Sequence, residues 1–155
     1  MPLSLMKNLH EEEWERMVDV NVKGVLFCIG AVLPHMIKQA SGHIVNISSV
    51  AGRRVMPGAA VYCATKFAVS ALSEGLRMEL GQSSNIRVTV IEPGAVATEL
   101  FRGITDMEVL TMFGQRFQNV KPMKADDIAR AVLYALSQPD NVNSADIMIM
   151  PTSQG

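Results

Sequence analysis

The chain has almost no net charge, few cysteines, no long uninterrupted apolar run and no repeats. Its 155 residues carry 14 basic and 15 acidic side chains, a net charge of −1. That balance gives no electrostatic reason to expect nucleic acid or an anionic membrane as partner. Only Cys28 and Cys63 are present, far apart and outside any Cys-x-x-Cys pair. The expectation is two buried thiols in a reducing, cytoplasmic setting. The opening Met1-Pro2-Leu3-Ser4 lacks the basic start and apolar core of a signal peptide. The longest mostly apolar stretch, Val25 to Met36, is short for a membrane span and contains Pro34. No low-complexity tract or linker divides the chain, so residues 1–155 read as one unit.

Apolar residues make up 48% of the chain and charged residues 19%, which excludes a disordered protein and leaves material for an ordered core. Glu11-Glu12-Glu13 places acids where a helix dipole favours them, and Trp14, Met17, Val18, Val22, Val25 and Ile29 follow at helical spacing. One helix is predicted to about Ala40, bent near Asn21 to Gly24 and closed by Ser41-Gly42. His43 to Ser48 is short, apolar and β-branched, and reads as a buried strand. A glycine- and proline-containing loop, 49–58, leads to a second long helix from about Ala60 to Gly81. Ile86 to Ile91 is a second strand, stopped by Pro93-Gly94. Residues 99–120 read as a loop with helical pieces, Asp126 to Gln138 as a helix, and Ala145 to Met150 as a third strand. Short buried strands alternating with long helices imply a parallel sheet with right-handed crossovers, the α/β doubly wound class.

Tyr62 and Lys66 lie four apart on the second helix and share a face. A phenol titrates near ~10, and a neighbouring ammonium favours the phenolate, so a tuned tyrosine can exchange a proton with a carbonyl/alcohol pair. Such pairs are common in helices by chance. Their setting is not. Ser49 lies 13 residues earlier at the carboxyl end of a predicted strand, where open parallel sheets bind ligands, and its hydroxyl can hydrogen-bond a substrate oxygen. Asn21 lies 28 residues before Ser49, where its amide can extend a proton path toward Lys66.

Four segments, Val20-Asn21-Val22-Lys23-Gly24, Gly42-His43-Ile44-Val45-Asn46-Ile47-Ser48-Ser49, Val61-Tyr62-Cys63-Ala64-Thr65-Lys66 and Val90-Ile91-Glu92-Pro93-Gly94, together resemble the Asn-Ser-Tyr-Lys members of the short-chain dehydrogenase/reductase family. The resemblance runs almost end to end. It implies an oxidoreductase moving hydride between NADP or NAD and an alcohol or ketone. Tyr62 would be the acid/base, and Ser49 would polarise the substrate carbonyl. Lys66 would lower the Tyr62 pKa and bind the nicotinamide ribose, and Asn21 would support the relay. Pro93, Gly94, Val96 and Thr98 would lie against the nicotinamide, with a mobile substrate loop near Phe101 to Phe117. The tail Ile147-Met148-Ile149-Met150-Pro151-Thr152 resembles members that oxidise small hydroxy acids such as serine, usually with NADP. The family's long helices also imply a homodimer or homotetramer.

The family's Gly-x-x-x-Gly-x-Gly turn, which cradles the cofactor phosphates, and its Asn-Asn-Ala-Gly run do not occur in these residues. The expectation is therefore the catalytic, C-terminal part of a Rossmann-like domain, with an open sheet edge at the first strand and little turnover by this chain alone. Met107, Met112 and Met123 are expected to line an adaptable pocket, and Met17, Met36 and Met78 to fill the core. His10, His35 and His43 are read as structural, and Cys63 as a small packing residue. Two other functions compete: a non-catalytic interaction module, and a hydrolase with Ser49 as nucleophile and Lys66 as base.

Overall fold

A computed structural model describes residues 1–154. It contains a three-strand parallel sheet with long crossover helices, ordered β1-β2-β3 from β1 (Gly42–Ile47), β2 (Ile86–Pro93) and β3 (Asp146–Ile149). The central β2 is almost wholly buried, with Ile86, Val88, Thr89, Val90 and Ile91 all inaccessible. A continuous β-branched run is what a strand covered on both faces requires. Register pairs Ile47 with Ile91 and Pro93 with Ile149, and Ser48 continues the ladder by donating its N–H to the Ile91 carbonyl at 2.8 Å. Ser48-Ser49 and Glu92-Pro93 therefore leave the sheet side by side at its carboxyl end. Among the described residues β1 and β3 form the two edges of the sheet.

The first helical region is α1 (Glu11–Val18), a wider π-turn (Asp19–Lys23) and α2 (Gly24–Gln39), forming one rod. The predicted bend near Asn21 is this π-turn, whose extra residue per turn re-aims the side chains on either side. The rod is longer than the apolar run suggested, because the helix continues through Pro34. By length and composition alone it could cross a membrane: its most apolar window has a mean hydropathy of 1.6 and is only 6% buried. This corrects the expectation of too short a stretch. Its packing against β1 and α3, and its opening acids, mark it instead as a helix of the folded domain with an uncovered outer face.

Helix α3 (Ala60–Ser84) buries Tyr62, Thr65, Val69, Ser73, Leu76 and Leu80 at steps of three or four, one helical stripe laid on the sheet. Met36 packs against the cluster of Ile29, Ile44, Leu76 and Val88, and Met17 is buried. Met78 is 73% exposed, so its expected core role fails: it lies off the buried stripe of α3. Cys63 is buried but Cys28 is exposed, which corrects the reading of two buried thiols. His43 takes a structural place, its Nε2 2.8 Å from the Thr89 hydroxyl.

Residues 99–120 are more helical than expected: a 3-10 turn (Glu99–Gly103) and α4 (Met107–Phe117), followed by α5 (Ala125–Leu136). Asp106 caps α4, accepting from the N–H groups of Glu108 at 3.0 Å and Val109 at 3.3 Å. Its other oxygen accepts from the Leu5 N–H at 3.0 Å and the Asn8 amide at 2.8 Å. Burial pushes this carboxyl up, but the donors of Asn8, Leu5, Val109 and Glu108 outweigh it and hold the pKa below the usual range. We expect Asp106→Ala to cost about 2 kcal/mol, from a lost cap and the orphaned Leu5 and Asn8 donors. Because the folded pKa is depressed, this advantage of the wild type is present above the ordinary carboxyl value. It is lost as pH falls through the folded value. Urea unfolding of both chains across acid pH checks the sign.

Candidate active site

The carboxyl ends of β1 and β2, the start of α3, the π-turn and the segment after β2 enclose one cavity of about 720 Å³. All eight residues singled out from the sequence line it: Asn21, Ser49, Tyr62, Lys66, Pro93, Gly94, Val96 and Thr98. They come from four separate stretches of chain, and parallel strand pairing is what gathers them.

Tyr62 is 7% exposed, its ring packed with Met17, Ala51, Ala59 and Phe113. Ser49 is held from two sides. Its Oγ accepts the Ala51 N–H at 3.1 Å and donates to the Pro93 carbonyl at 3.4 Å. Ser49 and Tyr62 face the same cavity. Lys66 Nζ sits 5.8 Å from the centre of the Tyr62 ring and donates to the Ile47 carbonyl at 3.0 Å.

Two features of this geometry bear on proton transfer. Burial raises the Tyr62 pKa above its ordinary value, Ser49 draws it back, and Cys63 adds to the rise. Lys66 is not among these influences, and burial lowers its own pKa. The geometry alone therefore keeps Tyr62 protonated, as a donor suited to a carbonyl oxygen, instead of poising a phenolate. Asn21 donates its amide to the Thr65 hydroxyl at 3.1 Å, and Thr65 donates to the Tyr62 carbonyl at 2.8 Å. Asn21 thus braces the first turn of α3 and makes no direct bond to Lys66.

Met107, Met112 and Met123 do not line the cavity: Met107 is 70% exposed, and Met123 bridges Val96 through its backbone. Their place is taken by Met17 and Met56, with Phe101, Phe113 and Phe117 stacked at centroid distances of 5.7 to 6.3 Å. Sequence reasoning also missed Gln154, whose side-chain oxygen accepts the Ala95 N–H at 2.7 Å and fixes the turn after Pro93-Gly94. No local signal marks it, since it lies 59 residues away. Among the described residues, no cluster of His, Cys, Asp or Glu is arranged to hold a metal ion.

Parallel sheet, crossover helices and the Ser-Tyr-Lys motif point to one family. Residues 2–109 match the short chain dehydrogenase family, and the chain belongs to it. It is 49% identical over 155 residues to an uncharacterized oxidoreductase of Staphylococcus saprophyticus, and 49% identical over 158 residues to another of Listeria monocytogenes. Each match takes in 99% of this chain and 62% of the relative. Among solved structures, the closed form of serine dehydrogenase complexed with NADP+ superposes with a TM-score of 0.85 at 34% identity, covering 99% of this chain and 63% of that one. A 4-hydroxyisoleucine dehydrogenase complexed with NADH and succinate gives 0.78 at 25% identity, covering 97% and 62%. The chain thus spans less than two thirds of the proteins it resembles.

Proposed function

We propose that this chain forms the proton-handling and substrate-binding part of an NADP- or NAD-dependent oxidoreductase acting on an alcohol/ketone pair. The observation that carries the reading is the buried Tyr62, with Lys66 beside its ring, sharing one cavity with Ser49. Ser49 would hold the substrate oxygen, and Tyr62 would donate its proton to that oxygen in reduction and recover it in oxidation. Pro93, Gly94, Val96 and Thr98 form a wall suited to the flat face of a nicotinamide, and Lys66 offers an ammonium for its ribose. A bound nicotinamide would supply or accept the hydride. The described residues include no glycine-rich turn for the phosphates, so we expect weak cofactor binding by this chain alone.

The cavity also speaks to substrate. No Asp or Glu lines it, and its side-chain charges are Arg16 and Lys66, against an aromatic and methionine wall. An ammonium group would find no carboxylate there. A ketone with apolar substituents fits this lining better than serine, despite the likeness of the chain's tail to serine-oxidising members. Ser49 hydrogen-bonds the backbone of Ala51 and Pro93, neither of them a general base, which weighs against the hydrolase reading.

Exposed Phe27, Val32 and Phe67 on α2 and α3 support a homo-oligomer built on these helices. The test of function joins the chain to the part of the Staphylococcus saprophyticus relative that it does not span. NADPH or NADH oxidation is then followed with acetophenone, cyclohexanone and hydroxypyruvate, and the reverse reaction with L-serine. We expect turnover with the two ketones at more than about tenfold the kcat/KM for hydroxypyruvate, a difference of about 1.4 kcal/mol in transition-state binding, and no serine oxidation. Serine as the best substrate would overturn the substrate reading, and no turnover with any of them would overturn the activity.

A further inference from the structure

Behind the cavity lies a polar network that the proton-transfer scheme does not use. Glu92, the residue before Pro93, is 1% exposed, an unusual place for a carboxylate. Arg53 Nε donates to its two oxygens at 2.7 and 2.9 Å, and the Ser70 hydroxyl occupies Oε1 at 2.9 Å. Ser70 also lies 3.0 Å from the Ser48 hydroxyl, which donates to the Lys66 carbonyl at 2.9 Å. On its solvent side, the Arg53 guanidinium pairs with Asp146 of β3. Five stretches of chain are thus tied together: the end of β1, the loop after it, α3, the end of β2 and the start of β3.

The two anchors of Ser49 hang from this network. One is the Ala51 N–H, two residues before Arg53; the other is the Pro93 carbonyl, one residue after Glu92. The Arg53–Glu92 pair fixes the distance between those anchors, and Ser48 fixes the neighbour of Ser49 to α3. We propose that Arg53 and Glu92, with Ser70 and Ser48, are positioning residues that hold the Ser49 hydroxyl against the Tyr62 phenol. This rests on the reading of Tyr62 as the proton-transfer group. A buried ion pair need not add stability, since desolvation offsets the attraction, but it fixes geometry.

The test reads Tyr62 directly and needs no cofactor. The chain has two tyrosines, so Tyr134→Phe leaves Tyr62 as the only one. Its titration is followed by the ζ-carbon NMR shift of labelled tyrosine, with circular dichroism reporting the fold. Ser49, Cys63 and Lys66 face the phenol, and Arg16 lies on the α1 wall of the same cavity; none is altered by Glu92→Gln or Arg53→Met. Ser49 draws the Tyr62 pKa down, so displacing its hydroxyl should raise the Tyr62 midpoint. We expect that rise in Glu92→Gln, in Arg53→Met and in Ser49→Ala. We expect no further rise when Ser49→Ala is combined with Arg53→Met, and partial reversal in Arg53→Lys. An unmoved midpoint with lowered thermal stability would overturn the proposal, and so would additive rises. Should Glu92→Gln lose its fold, Ser70→Ala deletes one hydroxyl and decides by the same criterion. Failure of ketone turnover would leave this titration result standing, so the two readings fail separately.

Discussion

Tyr62→Phe is expected to lower ketone reduction by the joined enzyme about a hundred- to ten-thousand-fold, the range of a positioned general acid. The loss should fall on kcat, with KM little changed, because only the phenolic O–H disappears. The ring that packs against Met17, Ala51 and Phe113 stays, so the core cluster keeps its shape. Stability should move by no more than about 1 kcal/mol, the net value of one hydrogen bond. Burial holds the phenol protonated through neutral pH, so the wild-type reduction rate should stay flat there and fall only at alkaline pH, as the donor is lost. The Phe variant should lack that alkaline fall. Steady-state kinetics against pH decide the matter: a loss under about tenfold, or an unchanged alkaline limb, would remove Tyr62 from the reaction.

What the sequence showed of this site and what it hid differ in kind. The strands and long helices were readable because their residues repeat locally, β-branched runs in β1 and β2 and a three-four stripe along α3. Ser49 was readable because a parallel sheet gathers carboxyl-end residues at one rim, Tyr62 because it lies one helical turn from Lys66, and Pro93-Gly94 because of the resemblance to the family. The opposite holds for groups whose role depends on distant partners. Arg53 meets Glu92 across 39 residues, and Asp106 meets Leu5 across 101. Nothing beside either acid announces its partner. The methionines misled for a related reason: their flexible side chains suit a pocket anywhere, and only the path of α4 decides that Met107 faces solvent. Spacing shows that Lys66 shares a face with Tyr62, but not how deeply the phenol is buried.

Glycine positions show how closely that buried network is packed, and they carry the second large expected effect. A Cβ at Gly52 would lie 2.6 Å from the Ser48 hydroxyl and 2.9 Å from both the Lys66 carbonyl and the Ser70 hydroxyl. Hydroxyls can rotate aside, but the carbonyl belongs to the backbone of α3 and cannot. Gly52→Ala must therefore push the loop off α3, parting Ser48 from Lys66 and shifting Ala51, one of the two supports of Ser49. We expect a loss of about 2 to 3 kcal/mol from overpacking and a broken hydrogen bond. Ketone turnover should fall as well, although Gly52 itself does not line the cavity. Gly81 provides the contrast. It lies near the end of α3 with nothing within 4 Å of a built Cβ, and its substitution by alanine should stabilise the chain by about 0.5 to 1 kcal/mol through helix propensity. Urea midpoints of the two variants should therefore move in opposite directions from the wild type. If Gly52→Ala were neutral, α3 and the loop would be free to separate, and the link between that packing and the position of Ser49 would be lost.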